Sequence, residues 1–401
     1  DPMNPRAVLE QVGLFLVGLA IVVVTFLTGY YAHAFSGQIA FLRWPLPGLP
    51  AGPEQYGLLA EARALVEQHF LGTLPDAAKV DQALARGYVQ SLGDPYTVFI
   101  DPPNAELESN SLSGEYGGIG VSIGRNESNQ IVLDPFPDSP AILAGVKRGD
   151  VLVGVDDKAI TPDTPTEAVT SAVRGPVGTP VTIRVRRGED ELTFTLTRAV
   201  IALPSVRGQL VDGQPEIGWI RIERFSDKTA EELKTVTQDL AGQGATQYIL
   251  DLRDNGGGLV DSAVEAAGLV LDGGVVLYEV SKSEAERTYT APESDSPLQT
   301  APLVVLVNHN TASAAEILAG AVAAQDRAPL IGQKTYGKGS VQFVFTLSDG
   351  SSIHITAKTW QTPDHKNLNG NGLDPSITIE PDPNGGDTQL QAAIEYLLDR
   401  R

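Results

Sequence analysis

The stretch Leu303-Val-Val-Leu-Val307, followed by Asn308-His-Asn-Thr-Ala-Ser-Ala-Ala-Glu-Ile317, decides how this chain is built. Five apolar residues with no polar alternation describe a strand buried on both faces, as in a sheet covered by helices. The Ala-rich run Ala314–Ala324 reads as a helix, and a polar turn ending at Ser313 joins the two. A serine at such a corner has its Oγ near the helix N-terminus, where unpaired N–H groups and the helix dipole favour developing negative charge. The same placement also describes an ordinary N-cap, since Ser and Thr are preferred at helix starts. This segment alone supports both readings.

Working outward, strands and helices alternate from Ile217 onward: Gly218–Ile222, Thr229–Gln243, Tyr248–Leu252 and Val260–Leu271 precede the segment. A strand at Ser340–Leu347 follows it, and the alternation predicts an α/β sheet with covering helices. The acidic, polar run Ser283–Ser296 reads as a surface loop.

Residues Glu115–Arg198 predict a compact mixed domain of short strands (Ile119–Ile123, Gln130–Leu133, Val151–Val155) and helices at Ser139–Ala144 and Pro165–Val173. It closes with a hairpin, Val181–Arg186 against Leu192–Thr197. Leu58–Leu71 and Ala77–Leu92 carry apolar residues at helical spacing, and Gly93-Asp94-Pro95 ends that region.

At the start, Val12–Tyr30 is almost wholly apolar and long enough as a helix to cross a bilayer core of about 30 Å. Arg6 before it favours a cytoplasmic N-terminus with the remainder outside. Ala32-His33-Ala34 also resembles a signal-peptide cleavage site, so a single-pass membrane anchor and a cleaved export signal are both open. Either one places the body of the chain outside the cytoplasm. The fold class expected is α/β multidomain: an N-terminal anchor or signal segment (1–42), a Pro/Gly-rich linker (43–57) and a small helical region (58–113). A middle α+β domain (114–200), an α/β core (201–384) and a C-terminal helix (385–401) complete it.

Composition narrows the chemistry. With 29 Lys+Arg against 50 Asp+Glu, the net charge of −21 excludes nucleic acid as a natural partner, because a polyanion would be repelled. The absence of Cys removes disulfides, thiolate metal sites and cysteine nucleophiles. The five histidines form no paired metal spacing, so no metal and no cofactor are expected. His309, four residues before Ser313, leaves a Ser-His arrangement open but has no orienting carboxylate at recognisable spacing.

Two further segments carry candidate chemistry. Gly332-Gln-Lys-Thr-Tyr-Gly-Lys338-Gly-Ser-Val-Gln342 nearly matches a phosphate-binding loop, but Gly339 takes the Mg²⁺-binding Ser/Thr position and a strand-like run follows instead of a helix. A Lys between two glycines at the edge of a buried strand is either an ordinary solvated turn residue or a desolvated, neutral general base. Leu250-Asp-Leu-Arg-Asp-Asn-Gly-Gly-Gly258 is a strand ending in a glycine-rich turn. It is either a tight βα loop or a place where backbone N–H groups face an oxyanion.

Together the order LDLRDNGGG, TASAAEI and TYGKGSVQ resembles the carboxyl-terminal processing peptidases, or tail-specific proteases. These are serine proteases with a Ser/Lys catalytic pair and an inserted PDZ domain. The resemblance spans roughly Gly93–Arg401, including GDPYTVFI and IGWIRIERFSDKTAEEL. It implies Ser313 as nucleophile, Lys338 as general base, Gln342 as the residue orienting the Lys, and the N–H groups of Ala314 and Gly257 as an oxyanion hole. It likewise implies a PDZ middle domain in which Gly118, Ile119, Gly120 and Val121 capture a peptide's terminal carboxylate.

Two positions depart from the family pattern. Pro363–Pro375 is longer and more polar than usual, and Gly256 replaces a common Pro. The expectation is an extracytoplasmic serine endopeptidase that recognises apolar, unstructured C-terminal tails and cleaves near them. The alternative is a catalytically silent PDZ scaffold of the cell envelope. An enzyme held latent by its PDZ domain is a third arrangement, and the sequence leaves oligomers and adaptors open.

Overall fold

A computed structural model describes residues 57–282, 285–382 and 385–399. The chain forms two compact units, 1–76 and 77–401. In the first, the described helix Gly57–His69 buries none of its residues. The candidate membrane segment Val12–Tyr30 and the linker lie outside the described residues, among which no helix is long and apolar enough to cross a membrane.

The second unit is organised around a six-stranded sheet. Its order is Val206–Val211, Gln214–Ile222, Gln247–Asp251, Leu303–Val307, Leu330–Gly332 and Ile377–Thr378, with only the first pair antiparallel. Alternate residues of Leu303–Val307 enter opposite cores, as the period of two requires. Leu303, Val305 and Val307 pack with the helices Thr229–Gly242, Val260–Val270 and Ala314–Ala324. Val304 and Leu306 pack with Ala393 and Leu397 of the C-terminal helix Thr388–Leu398. Burial on both faces explains the unbroken apolar run.

The strand Ser340–Thr346 does not extend this sheet. It pairs antiparallel with Ser352–Gln361 in a second sheet, which also holds Val98–Ile100, Val275–Val280 and Arg287–Thr290. Two expectations are corrected here. The alternating pattern ends before Ser340, and the segment read as a surface loop (283–296) contains the edge strand Arg287–Thr290. Its β-branched and aromatic residues suit a strand, while its exposed Arg287 suits an edge.

The middle domain has its own sheet (Val121–Arg125, Ile131–Pro135, Asp150–Val155, Pro180–Arg187, Asp190–Thr197) and its own core. The chain enters and leaves it on two paired strands, Glu115–Gly118 and Ala199–Ala202. The expected single strand Ile119–Ile123 is interrupted, because Gly120 adopts φ +71° and separates Gly118 from Val121.

Candidate active site

Two strand ends meet at the C-terminal edge of the six-stranded sheet. The turn after Leu303–Val307 is stitched to the turn after Gln247–Asp251: Ala312 N–H donates to Asn255 O (2.9 Å), and Thr311 Oγ1 donates to Leu252 O (2.9 Å). Asn308 and Asn310 both donate to Asp254 Oδ1, which holds that carboxyl below its usual range. Arg253 joins the same turn to the C-terminal helix through Asp251 and Asp387.

This stitching holds Ser313 at φ +54°, ψ −118°, a conformation that a non-glycine residue adopts only where the surroundings impose it. Its backbone N–H donates to Glu316 Oε2 (3.0 Å). The next N–H, of Ala314, makes no hydrogen bond among the described residues, although Ala314 is fully buried at the start of a helix. A buried donor at a helix N-terminus is prepared for an anion.

Gly257 faces this donor. A Cβ at its position would lie 2.8 Å from Ser313 Cβ and 2.9 Å from Ala314 N, and its φ is +102°. Only glycine leaves that space open. Its own N–H is taken by Asn255 Oδ1 at 2.9 Å, which corrects the expectation of a free donor there: the Asn255 side chain folds back across the turn. A side chain at Gly256 would meet open space, so the replacement of the family's Pro obstructs nothing.

Lys338 arrives from the loop before Ser340–Thr346. Its Nζ donates to Gln342 Oε1 at 2.9 Å and lies 5.4 Å from the centroid of the Tyr96 ring. Gln342 Nε2 donates to the Tyr96 carbonyl, so the Gln342 oxygen is the atom left to face the lysine. Burial pushes the Lys338 amine below its ordinary range, partly opposed by Glu108. Ser313, Lys338 and Gln342 line one cavity of about 240 Å³ with Trp360, Ile317 and Leu259 among its walls. No hydrogen bond joins Ser313 Oγ to Lys338 Nζ.

The fully buried carboxylate of Glu316 ties these parts together. It accepts the N–H groups of Ser313, Gly337 (2.7 Å) and Lys338 (2.9 Å) and the Thr335 hydroxyl (2.5 Å). Sequence reasoning assigned it no role, although Glu three residues after a Ser at a helix start was a visible signal. Tyr96 gave no comparable signal, being 242 residues before Lys338. The polar segment Pro363–Pro375 packs against the lysine loop: Gly370 N–H donates to Gly337 O, and Leu373 N–H to Thr335 Oγ1. His309 is exposed and lies 3.5 Å from Gln333, outside the cavity. Among the described residues no group of His, Asp and Glu is placed to hold a metal.

A second, larger groove of about 820 Å³ lies along the middle domain, walled by Gly118, Ile119, Gly120 and Val121 and by the helix Thr166–Val173. The side chains of Ile119 and Val121 are in the domain's core, so the backbone of this segment is what the groove receives. Arg207, Glu223 and Arg224 of the main body also line it.

Comparison with known proteins agrees with this layout. Residues 216–379 match peptidase family S41, and residues 117–197 match the PDZ domain. The carboxyl-terminal-processing protease of Synechocystis sp. is 36% identical over 77% of this chain and 74% of its own length. The carboxy-terminal processing protease CtpA of Bacillus subtilis is 33% identical over 82% of this chain and 70% of its own. A solved structure, the photosystem II D1 C-terminal processing protease, aligns at a TM-score of 0.47 with 28% identity, covering 83% of this chain and 94% of that one.

Proposed function

The chain belongs to peptidase family S41 as a serine-type C-terminal-processing peptidase with a PDZ domain, and on that premise we propose a Ser/Lys mechanism in which Ser313 is the nucleophile and Lys338 its general base. The observation that carries this reading is the meeting of Ser313, Lys338 and Gln342 in one cavity, beside the unengaged N–H of Ala314. Lys338 is desolvated, which favours the neutral amine that a base requires.

In the reaction, the Lys338 amine takes the Ser313 hydroxyl proton as Oγ attacks the scissile carbonyl. Charge developing on the carbonyl oxygen is met by the Ala314 N–H and the helix dipole, in space that Gly257 keeps clear. The ammonium then gives its proton to the leaving amine, and an acyl ester on Ser313 remains. Water, deprotonated by the same lysine, hydrolyses that ester and restores the serine. Gln342 aims the amine; Glu316 holds the lysine loop and the serine corner at a fixed separation.

The PDZ groove takes the substrate's C-terminal tail as an added strand, its carboxylate facing the backbone of Gly118–Val121. Apolar, unstructured tails suit this groove, whose lining includes Ile119, Val121, Ile123 and Phe136. The segment Val12–Tyr30 anchors the enzyme in a membrane with its catalytic part outside the cytoplasm, or directs its export if cleaved. Incubating the protein with a disordered polypeptide that ends in apolar residues, and reading the fragments by mass spectrometry, tests the proposal. Cleavage near the C-terminus that Ser313→Ala abolishes is expected. An intact substrate bound through its tail would instead favour a silent scaffold.

A further inference from the structure

The cavity of Ser313, Lys338 and Gln342 carries one further charged side chain, Glu108 of the helix Pro102–Ser113. The same carboxylate also lines an adjoining cavity of about 420 Å³. Behind it stands His354, only 7% exposed, with Nε2 3.0 Å from Glu108 Oε2. That ring nitrogen makes no hydrogen bond, so it meets Glu108 by proximity alone. Buried polar atoms are seldom left so, and the Glu108 carboxylate is the polar group that stands against this one. His354 lies in register between Val98 and Val344 on its two flanking strands, so its ring is a fixed point from which Glu108 is held.

We propose, on the reading that Lys338 is the general base, that Glu108 is a positioning residue of the reaction: held at the cavity wall by His354, its carboxylate sets the electrostatic field at the Lys338 amine. Two influences then oppose each other at that amine. Burial favours the neutral form, and the Glu108 charge favours the ammonium.

The other groups around the amine leave this role to Glu108. The Tyr96 hydroxyl is pushed up by burial and by its neighbours Tyr336, Glu316 and Asp94, so it stays neutral through the working range. Glu316 spends both oxygens on the serine corner and the lysine loop. Asp94 is turned toward Thr97 and the Tyr96 N–H.

The test is kcat/KM of the full chain on a peptide with an apolar tail, from about pH 5 to about pH 9, for the wild type, Glu108→Gln, Glu108→Asp and Lys338→Ala. Removing the negative charge lowers the lysine's proton affinity, so Glu108→Gln moves the acid limb down by roughly 0.5–1 pH unit. Glu108→Asp keeps the charge and stays near the wild-type limb. Unchanged thermal unfolding of Glu108→Gln shows that the fold is intact. If the Glu108→Gln and wild-type limbs coincide, or the limb moves up, while Lys338→Ala is inactive, the role of Glu108 is wrong and the base assignment stands. If Lys338→Ala keeps its activity, the base assignment falls and this role with it.

Discussion

The buried carboxylate of Glu316 accepts the backbone N–H of Lys338 at 2.9 Å. Glu316 stands on the first turn of the helix that begins after Ser313, and the same oxygen accepts the Ser313 N–H. Ser313 and Lys338, the proposed nucleophile and base 25 residues apart in sequence, are thus referred to one atom. Glu316→Gln retains a single acceptor oxygen for four donors and turns an amide N–H toward others. The expected result is a loss of roughly 3 kcal/mol in denaturant unfolding. A fall in kcat of at least roughly tenfold should accompany it, as the pair loses alignment. A variant as stable and as fast as the wild type would remove Glu316 from the account.

Gly257→Ala tests the space beside the Ala314 N–H. The new methyl lies 2.8 Å from Ser313 Cβ and 2.9 Å from Ala314 N, with φ at +102°. Steady-state kinetics should show kcat reduced by roughly 10²–10³, the usual effect of losing one oxyanion donor. Binding of a tail peptide to the middle domain should be unaffected, because the substitution is remote from that groove. A change confined to KM would contradict the assignment.

Gln342→Glu tests the lysine's environment at its hydrogen-bond partner. A carboxylate 2.9 Å from Nζ favours the ammonium and repels the Tyr96 carbonyl. The acid limb of kcat/KM should therefore move to higher pH. Gln342→Ala should lower kcat without that upward move. A pH profile for Gln342→Glu that matches the wild type would mean that position 342 does not act through Lys338.

Phe136→Asp tests tail capture. Phe136 is about one-third exposed on the wall of the middle-domain groove, and a charge there opposes an apolar tail. Titration with a fluorescent tail peptide should show affinity weakened at least roughly tenfold, consistent with loss of an aromatic anchor. Equal affinity would place tail recognition elsewhere.

How much of this was legible in the sequence follows from where each interaction lies. Leu303–Val307 and Ala314–Ala324 were readable because burial on both faces and an all-round apolar helix leave direct patterns. Ser313, Lys338 and Gln342 were visible from their motifs. The Tyr96 carbonyl was not, since a backbone acceptor leaves no residue signature. Gly257 was found for the right corner, but its N–H is turned to Asn255 Oδ1, a side-chain choice that no spacing encodes. Ser340–Thr346 was assigned to the wrong sheet because a local strand pattern does not reveal its partner. Glu108 and His354 lie 246 residues apart and meet only through the pairing of Val98–Ile100 with Ser352–Gln361.

The most direct test of the central claim is the initial rate of tail-peptide hydrolysis by Lys338→Ala at pH 8. With Lys338 as the base for Ser313, the rate falls to that of Ser313→Ala, while far-ultraviolet circular dichroism is unchanged. Hydrolysis by Lys338→Ala at a rate near the wild type would contradict a Ser/Lys pair.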